Sequence, residues 1–201
     1  LVLFLHYILK NIILRKDLIR KAYLEKRKEL SSKKFHSDSQ QVFEKTIEII
    51  NKYKPKCIHC FLPINSKYEI NTLPIIKYCW DHNIDVLVPV SNFKDSTLKS
   101  AEFNRNTKTI NTKNNITEPF EPVFKNPKDI DIVITPLLAF DSDGYRIGYG
   151  KGFYDRFFTI LNKDVKRIGL SLFAPCQKIE NRNMQDIPLT HCITPEIIYS
   201  F

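Results

Sequence analysis

A layered α/β fold, with helices flanking a mostly parallel or mixed central sheet, is the architecture that three features of this sequence predict. Apolar runs of strand length alternate along the chain with amphipathic segments of helical period. The 201 residues are 43% hydrophobic and 26% charged, the balance of a folded globular chain. Only five glycines occur, all of them between Gly144 and Gly169, so the freest backbone is confined to one stretch. One domain spanning residues 1–201 is expected, long enough to bury a core without disulfides.

Leu14, Leu18 and Ala22 recur at helical spacing within residues 11–30, predicting an amphipathic first helix with that stripe inward. Lys16 and Arg20, four apart, share another face, which on ordinary surface frequencies is a solvated one. Residues 1–14, LVLFLHYILKNIIL, are apolar but broken by His6 and Lys10. They fall short of the roughly 20 residues that span a bilayer and lack the positive start and small-residue cleavage site of a signal peptide. Since the chain opens on Leu, the segment reads as an extension of the first helix or a misassigned start, and no membrane role is expected.

A second helix is predicted at about 38–52 on Val42, Ile47 and Ile50, then a strand at 57–63, a helix at 73–82 and a strand at 84–89. Residues 91–128 are rich in Asn, Lys, Thr and Ser and have a period only at 96–103, so short strands and long loops are expected there. The best strand is 130–134, stopped by Pro136. A Gly-rich loop leads into a helix at about 152–162, followed by strands at 167–172 and near 196–199.

Thirty-one Lys and Arg against 22 Asp and Glu give a formal charge of +9, a field that attracts anions such as nucleotides, polyglutamates or nucleic acid. The basic residues are dispersed, without the dense tract or aromatic-basic motif of a nucleic-acid binder, so recognition of RNA or DNA is the weaker alternative. Five cysteines at irregular spacing argue against a secreted disulfide framework and for a reducing cytoplasm. Cys57 and Cys60 form a lone C-x-x-C inside an apolar run, which suits two buried strand thiols better than half a zinc site.

The chemistry concentrates at Gly148-Tyr149-Gly150-Lys151-Gly152, between a strand and a helix. Glycines there let backbone N–H groups approach a ligand, and the helix start adds unpaired N–H groups. Arg146 and Lys151 supply positive charge, and Asp155 can hold a magnesium ion that bridges phosphates. The assembly reads as a triphosphate site, against the plainer possibility of a tight turn. Lys151 is followed by Gly152 where a Walker A loop needs Ser or Thr, and the third glycine falls one place too early for a dinucleotide fingerprint.

The run IDIVITPLLAFD at 130–141, followed by GYRIGYGKGFYDR at 144–156, resembles the 5-formyltetrahydrofolate cyclo-ligase family. Lys16-Asp17-Leu18-Ile19-Arg20, Phe61-Leu62-Pro63, Glu69-Ile70-Asn71-Thr72, Glu118-Pro119 and Ile193-Thr194-Pro195 agree in order, so the resemblance covers most of the chain from Lys16 onward. Leu137 stands where a Gly is usual, Phe153 replaces the first of two tyrosines, and residues 178–191 keep Asp186 but little around it.

What the resemblance implies is an enzyme that closes 5-formyltetrahydrofolate to 5,10-methenyltetrahydrofolate with ATP and Mg²⁺, releasing ADP and phosphate. By that likeness Lys16, Arg20 and Arg146, Ile147, Gly148, Tyr149, Gly150, Lys151, Gly152, Phe153 and Tyr154 contact ATP, with Arg146 and Lys151 acting on the transferring phosphoryl group. Arg20, Leu62, Glu69, Tyr149 and Phe153 meet the folate, Glu69 taking the pterin, and Asp155 and Asp186 ligate magnesium. Asp141 and Asp143 are expected to shape a turn. The substrate carries or lacks a polyglutamate tail, no nucleic acid or membrane partner is implied, and a monomer is expected. A different nucleotide-dependent ligase or kinase on the same loop is the remaining alternative.

Overall fold

The computed structural model describes residues 16–180 and 182–201; the apolar segment 1–14 and the part of the first helix expected at 11–15, Leu14 included, lie outside the described residues. Helices α1 (Lys16–Glu29) and α2 (Ser32–Tyr53) precede β1 (Cys57–Cys60), α3 (Leu73–Asp81), β2 (Asp85–Asn92) and β3 (Thr97–Glu102). Then come β4 (Thr109–Asn111), β5 (Thr117–Pro119), β6 (Ile132–Pro136), β7 (Ala139–Phe140), β8 (Arg146–Ile147) and α4 (Phe153–Thr159), and finally β9 (Lys166–Leu170), β10 (His191–Ile193) and β11 (Ile198–Ser200). A seven-stranded sheet runs β11-β10-β9-β6-β1-β2-β3, parallel throughout its middle and antiparallel at both edges. The expected α/β class is what the structure has.

Alternation along the strands divides the core. Ile58, Cys60, Val86, Val88, Ile132 and Ile134 face α2 and α3, where Val42, Ile49, Ile50, Ile75 and Ile76 meet them. Cys57, Leu87, Leu98 and Val133 face α4 with Phe157 and Phe158. Cys57 and Cys60 therefore point to opposite sides of β1 as buried free thiols, and burial pushes the Cys57 thiol up to about 12. A smaller cluster joins α1, through Ile19 and Tyr23, to Leu138, Ala139 and Ile147.

Several boundaries differ from expectation for identifiable reasons. Helix α2 begins at Ser32 because Ser31 caps it, accepting from Lys34 N at 3.2 Å. Strand β1 ends at Cys60, and Phe61, Leu62 and Pro63 leave the sheet as a loop in which Phe61 and Leu62 are buried and Pro63 is half-buried. Two elements were not expected from the sequence because they are too short to show a period: β10, of three residues, and the β7–β8 hairpin, whose strands have two residues each. The first helix is turned relative to the expected stripe: Leu18 is 51% exposed, while Ile19, Tyr23 and Arg27 are buried. Lys16 and Arg20 are part-buried beside that inward face, so the solvated reading of this pair does not hold.

Candidate active site

From β1 the chain moves outward to β2 and β3, then returns to β6 on the other side of β1 before continuing to β9 and β10. The gap beyond the carboxyl ends of β1 and β6 is thus a topological switch point, where open α/β sheets bind ligands. Leu62 and Pro63, which follow β1, line one of two cavities that open on this side of the molecule.

The smaller cavity, about 190 Å³, is lined by Lys16, Arg20, Arg146, Gly148, Tyr149, Gly150, Lys151, Gly152, Phe153, Tyr154, Asp155, Asn183 and Asp186. Its floor is set by the β7–β8 hairpin. At the hairpin turn Asp141 is fully buried; its Oδ1 accepts from the N–H groups of Asp143 and Tyr145, both at 3.0 Å, and its Oδ2 from Ile179 N at 3.0 Å. Arg182 neutralises it at 2.7 Å and also reaches Asp143 at 2.7 Å, so these aspartates shape the turn as expected.

Past the hairpin the loop bends at Gly150, φ 93°, where an added Cβ would lie 3.2 Å from the guanidinium carbon of Arg20. That glycine is needed both for its backbone angle and for the close approach of Arg20, whose Nε donates to Gly148 O at 2.9 Å. The loop then enters α4, only seven residues long, through Gly152 in the left-handed region.

Two of the four cations in this cleft, Arg146 and Lys16, are already paired with carboxylates. The side chain of Arg146 is nearly buried, donates to Asp155 Oδ1 at 2.9 Å and to Ile187 O at 2.7 Å, and lies 4.6 Å from the Phe158 ring. Burial lowers its affinity for the proton, and Asp155 offsets part of that. Lys16 Nζ sits 2.5 Å from Asp186 Oδ2, which also accepts from Asn183 N at 2.9 Å. Lys151 is exposed at the rim.

The larger cavity, about 730 Å³, is walled by Leu62, Pro63, Phe35, Tyr68, Phe103 and Glu69. Glu69 is 5% exposed, and burial raises its pKa while hydrogen bonds from Tyr149 and Ile64 N and the charges of Arg27 and Lys67 oppose the rise. Its Oε1 accepts from Tyr149 Oη at 2.5 Å and its Oε2 from Ile64 N at 2.8 Å. Tyr149 is flanked by Lys67, whose ammonium lies 3.9 Å from the ring centroid, and its own hydroxyl is pushed up by burial and by Glu69. Because Tyr149 also lines the smaller cavity, the Tyr149–Glu69 bond joins the walls of the two.

The fold thus gathers almost every residue singled out from sequence. Ile147 is the exception: it is buried with Ile19 and Leu138 and lines neither cavity. Tyr154 borders the cleft, yet its hydroxyl is buried without a partner beside the His59 ring. Sequence reasoning passed over Arg27, Lys67 and Asn183; of these only Arg27 carried a signal, its seven-residue spacing from Arg20 along one helix face. Among the described residues no three His, Cys, Asp or Glu side chains gather to hold a metal. Asp155 and Asp186 nonetheless border one cleft, and two carboxylates completed by phosphate oxygens and water meet what magnesium requires.

A profile of the 5-formyltetrahydrofolate cyclo-ligase family matches residues 13–195. The 5-formyltetrahydrofolate cyclo-ligase of Haemophilus influenzae is 28% identical over 190 residues, 87% of this chain and 95% of that protein. The Escherichia coli K12 protein of the same name is 31% identical over 143 residues, 66% of this chain and 75% of its own length. Among solved structures, the Aquifex aeolicus 5,10-methenyltetrahydrofolate synthetase superposes with a TM-score of 0.77 at 25% identity, covering 92% of each chain.

Proposed function

Because this chain belongs to the 5-formyltetrahydrofolate cyclo-ligase family, we propose that its smaller cavity takes the phosphates of ATP and its larger one the folate. The chain is an ATP-dependent ligase that converts 5-formyltetrahydrofolate to 5,10-methenyltetrahydrofolate with release of ADP and phosphate. The observation that carries the site assignment is the shared wall. A cleft lined by four cationic side chains abuts an apolar cavity closed by a buried carboxylate, as two substrates that must meet require.

On this reading Lys16, Arg20, Arg146 and Lys151 neutralise the triphosphate, and Gly148, Gly150 and Gly152 let the loop backbone close on it. Glu69 accepts hydrogen bonds from pterin N–H groups, Leu62 lines the same pocket, and Tyr149 and Phe153 give flat apolar contact. The formyl oxygen of the bound folate attacks the γ-phosphorus, and the bond to the β,γ-bridging oxygen breaks as ADP leaves. Nitrogen-10 then adds to the activated carbon, loses its proton, and phosphate departs with the former formyl oxygen, leaving the methenyl bridge. No protein nucleophile is needed; alignment and charge neutralisation suffice. Asp155 and Asp186 would hold Mg²⁺, which supplies further neutralisation of phosphate oxygens when bound.

One domain, a monomer and a cytoplasmic setting complete the proposal. Both cavities are formed within a single chain, and all five cysteines are free thiols, which favours a reducing compartment. No helix among the described residues is long and apolar enough to cross a membrane. Whether the substrate bears a polyglutamate tail bears on Lys28 and His36, which stand at the edge of the larger cavity. Mixing the protein with 5-formyltetrahydrofolate, ATP and Mg²⁺ should give the absorbance of the methenyl product. Folded protein that yields none would sink the assignment.

A further inference from the structure

Arg27 is one turn beyond Tyr23 on α1 and 3% exposed, a place that an arginine occupies at high cost unless its charge is used. Its Nη2 donates to Leu137 O at 2.5 Å, and its Nη1 reaches Lys67 O at 3.3 Å and Tyr149 Oη at 3.4 Å. One guanidinium therefore ties together α1, the end of β6, the turn before Glu69 and the glycine loop. Nε remains buried without an acceptor. No carboxylate of the described residues pairs with it directly; Glu69 is the carboxylate whose charge it acts on, through Tyr149.

We propose that Arg27 is a positioning residue of the folate site: it orients the Tyr149 hydroxyl toward Glu69 and thereby holds the Glu69 carboxylate ready for the pterin. The inference rests on the folate reading of Glu69 given above. Its physical basis is a relay of three groups. Tyr149 donates to Glu69, and a neighbouring cation favours the carboxylate keeping its charge inside a low-dielectric pocket. The charged and titratable groups facing Glu69 are Arg27 from α1, Lys67 from the turn, Tyr149 from the loop and Tyr154 from α4. Only Arg27 and Lys67 oppose its protonation by charge, and Arg27 alone is also bonded to Tyr149. Lysine at 27 would keep the charge but lose the fork that spans two carbonyls and a hydroxyl.

The test uses the full chain with Arg27→Met, Arg27→Lys and Tyr149→Phe. Initial rates are measured against 5-formyltetrahydrofolate and against ATP, from about pH 6 to about pH 8.5. In Arg27→Met the folate KM should rise about tenfold while the ATP KM stays within about twofold, and the folate KM should climb further as pH falls because burial, no longer opposed by the Arg27 charge, favours the neutral Glu69 carboxyl. Arg27→Lys should recover the wild-type pH profile but only part of the affinity. Tyr149→Phe, which leaves Arg27 in place, should reproduce the folate effect. Folding of each variant is read by thermal denaturation. Equal rises in both KM values, or a Tyr149→Phe enzyme with unchanged folate KM, would overturn the relay; should Arg27→Met fail to fold, the Tyr149→Phe result decides. A wild-type protein inactive on 5-formyltetrahydrofolate would count against the folate reading itself, and direct binding of 5-formyltetrahydrofolate by calorimetry separates that case.

Discussion

Two cations of the cleft, similar in sequence, are set apart by their surroundings. Lys151 stands exposed at the rim, so Lys151→Ala should slow turnover by about 10²-fold or more with an unchanged melting temperature. Arg146→Ala should slow turnover as much and also destabilise the fold by roughly 3 kcal/mol, because it strips a buried partner from Asp155. Denaturation alongside the methenyl assay distinguishes the two. His59 is a different case: buried under α4 with both ring nitrogens unpartnered, its pKa is lowered to about 3 by desolvation. The unfolded chain takes up a proton below about 6.5 that the folded chain refuses, so stability falls as pH drops from 6.5 toward 3, by up to about 1.4 kcal/mol per unit. His59→Phe should flatten that part of the stability profile, as read by urea unfolding at several pH values.

Among the elements, α1 shows where pattern reading failed and why. Leu14, Leu18 and Ala22 form a plausible apolar stripe, yet the inward face is Ile19, Tyr23 and Arg27, flanked by Lys16 and Arg20. A helix that packs on a charged site must turn polar residues inward, and periodicity counts those as solvent-facing. Ile19→Ala should therefore cost about 2–5 kcal/mol and Leu18→Ala less than about 0.5, a contrast that chemical denaturation resolves directly. The β7–β8 turn depends on one buried carboxylate with four donors. Asp141→Asn should cost roughly 3 kcal/mol, or about 6–12 °C in melting temperature, with the activity at low temperature reduced because the glycine loop is hung from that turn.

For the molecule as a whole, the α/β class and the parallel middle of the sheet were legible, since buried parallel strands write themselves as unbroken apolar runs such as 130–134. Strand β10 was not, because three residues, His191 to Ile193, carry no measurable period. The glycine loop and its cations were equally plain, as glycine is scarce elsewhere in this chain. Glu69 and Leu62 were chosen by resemblance alone, and the spacing of Arg27 from Arg20 hinted at a shared helix face but not at Tyr149, which only the folded chain brings to it. The formal charge of +9 gives one more expectation: raising salt from about 0.05 M to about 0.5 M should increase the KM for ATP severalfold, as screening removes the long-range attraction of a polyanion.

That sensitivity has a ceiling, set by the Lys16–Asp186 and Arg146–Asp155 pairs. A cleft holding two cations against two carboxylates is an ion exchanger in its resting form. On the proposed reading, entering phosphates would take over the cations, and the released carboxylates would be free to gather a divalent ion. Loading would then be a swap of partners among fixed charges, with half of the cleft's four cations already held by carboxylates before the swap.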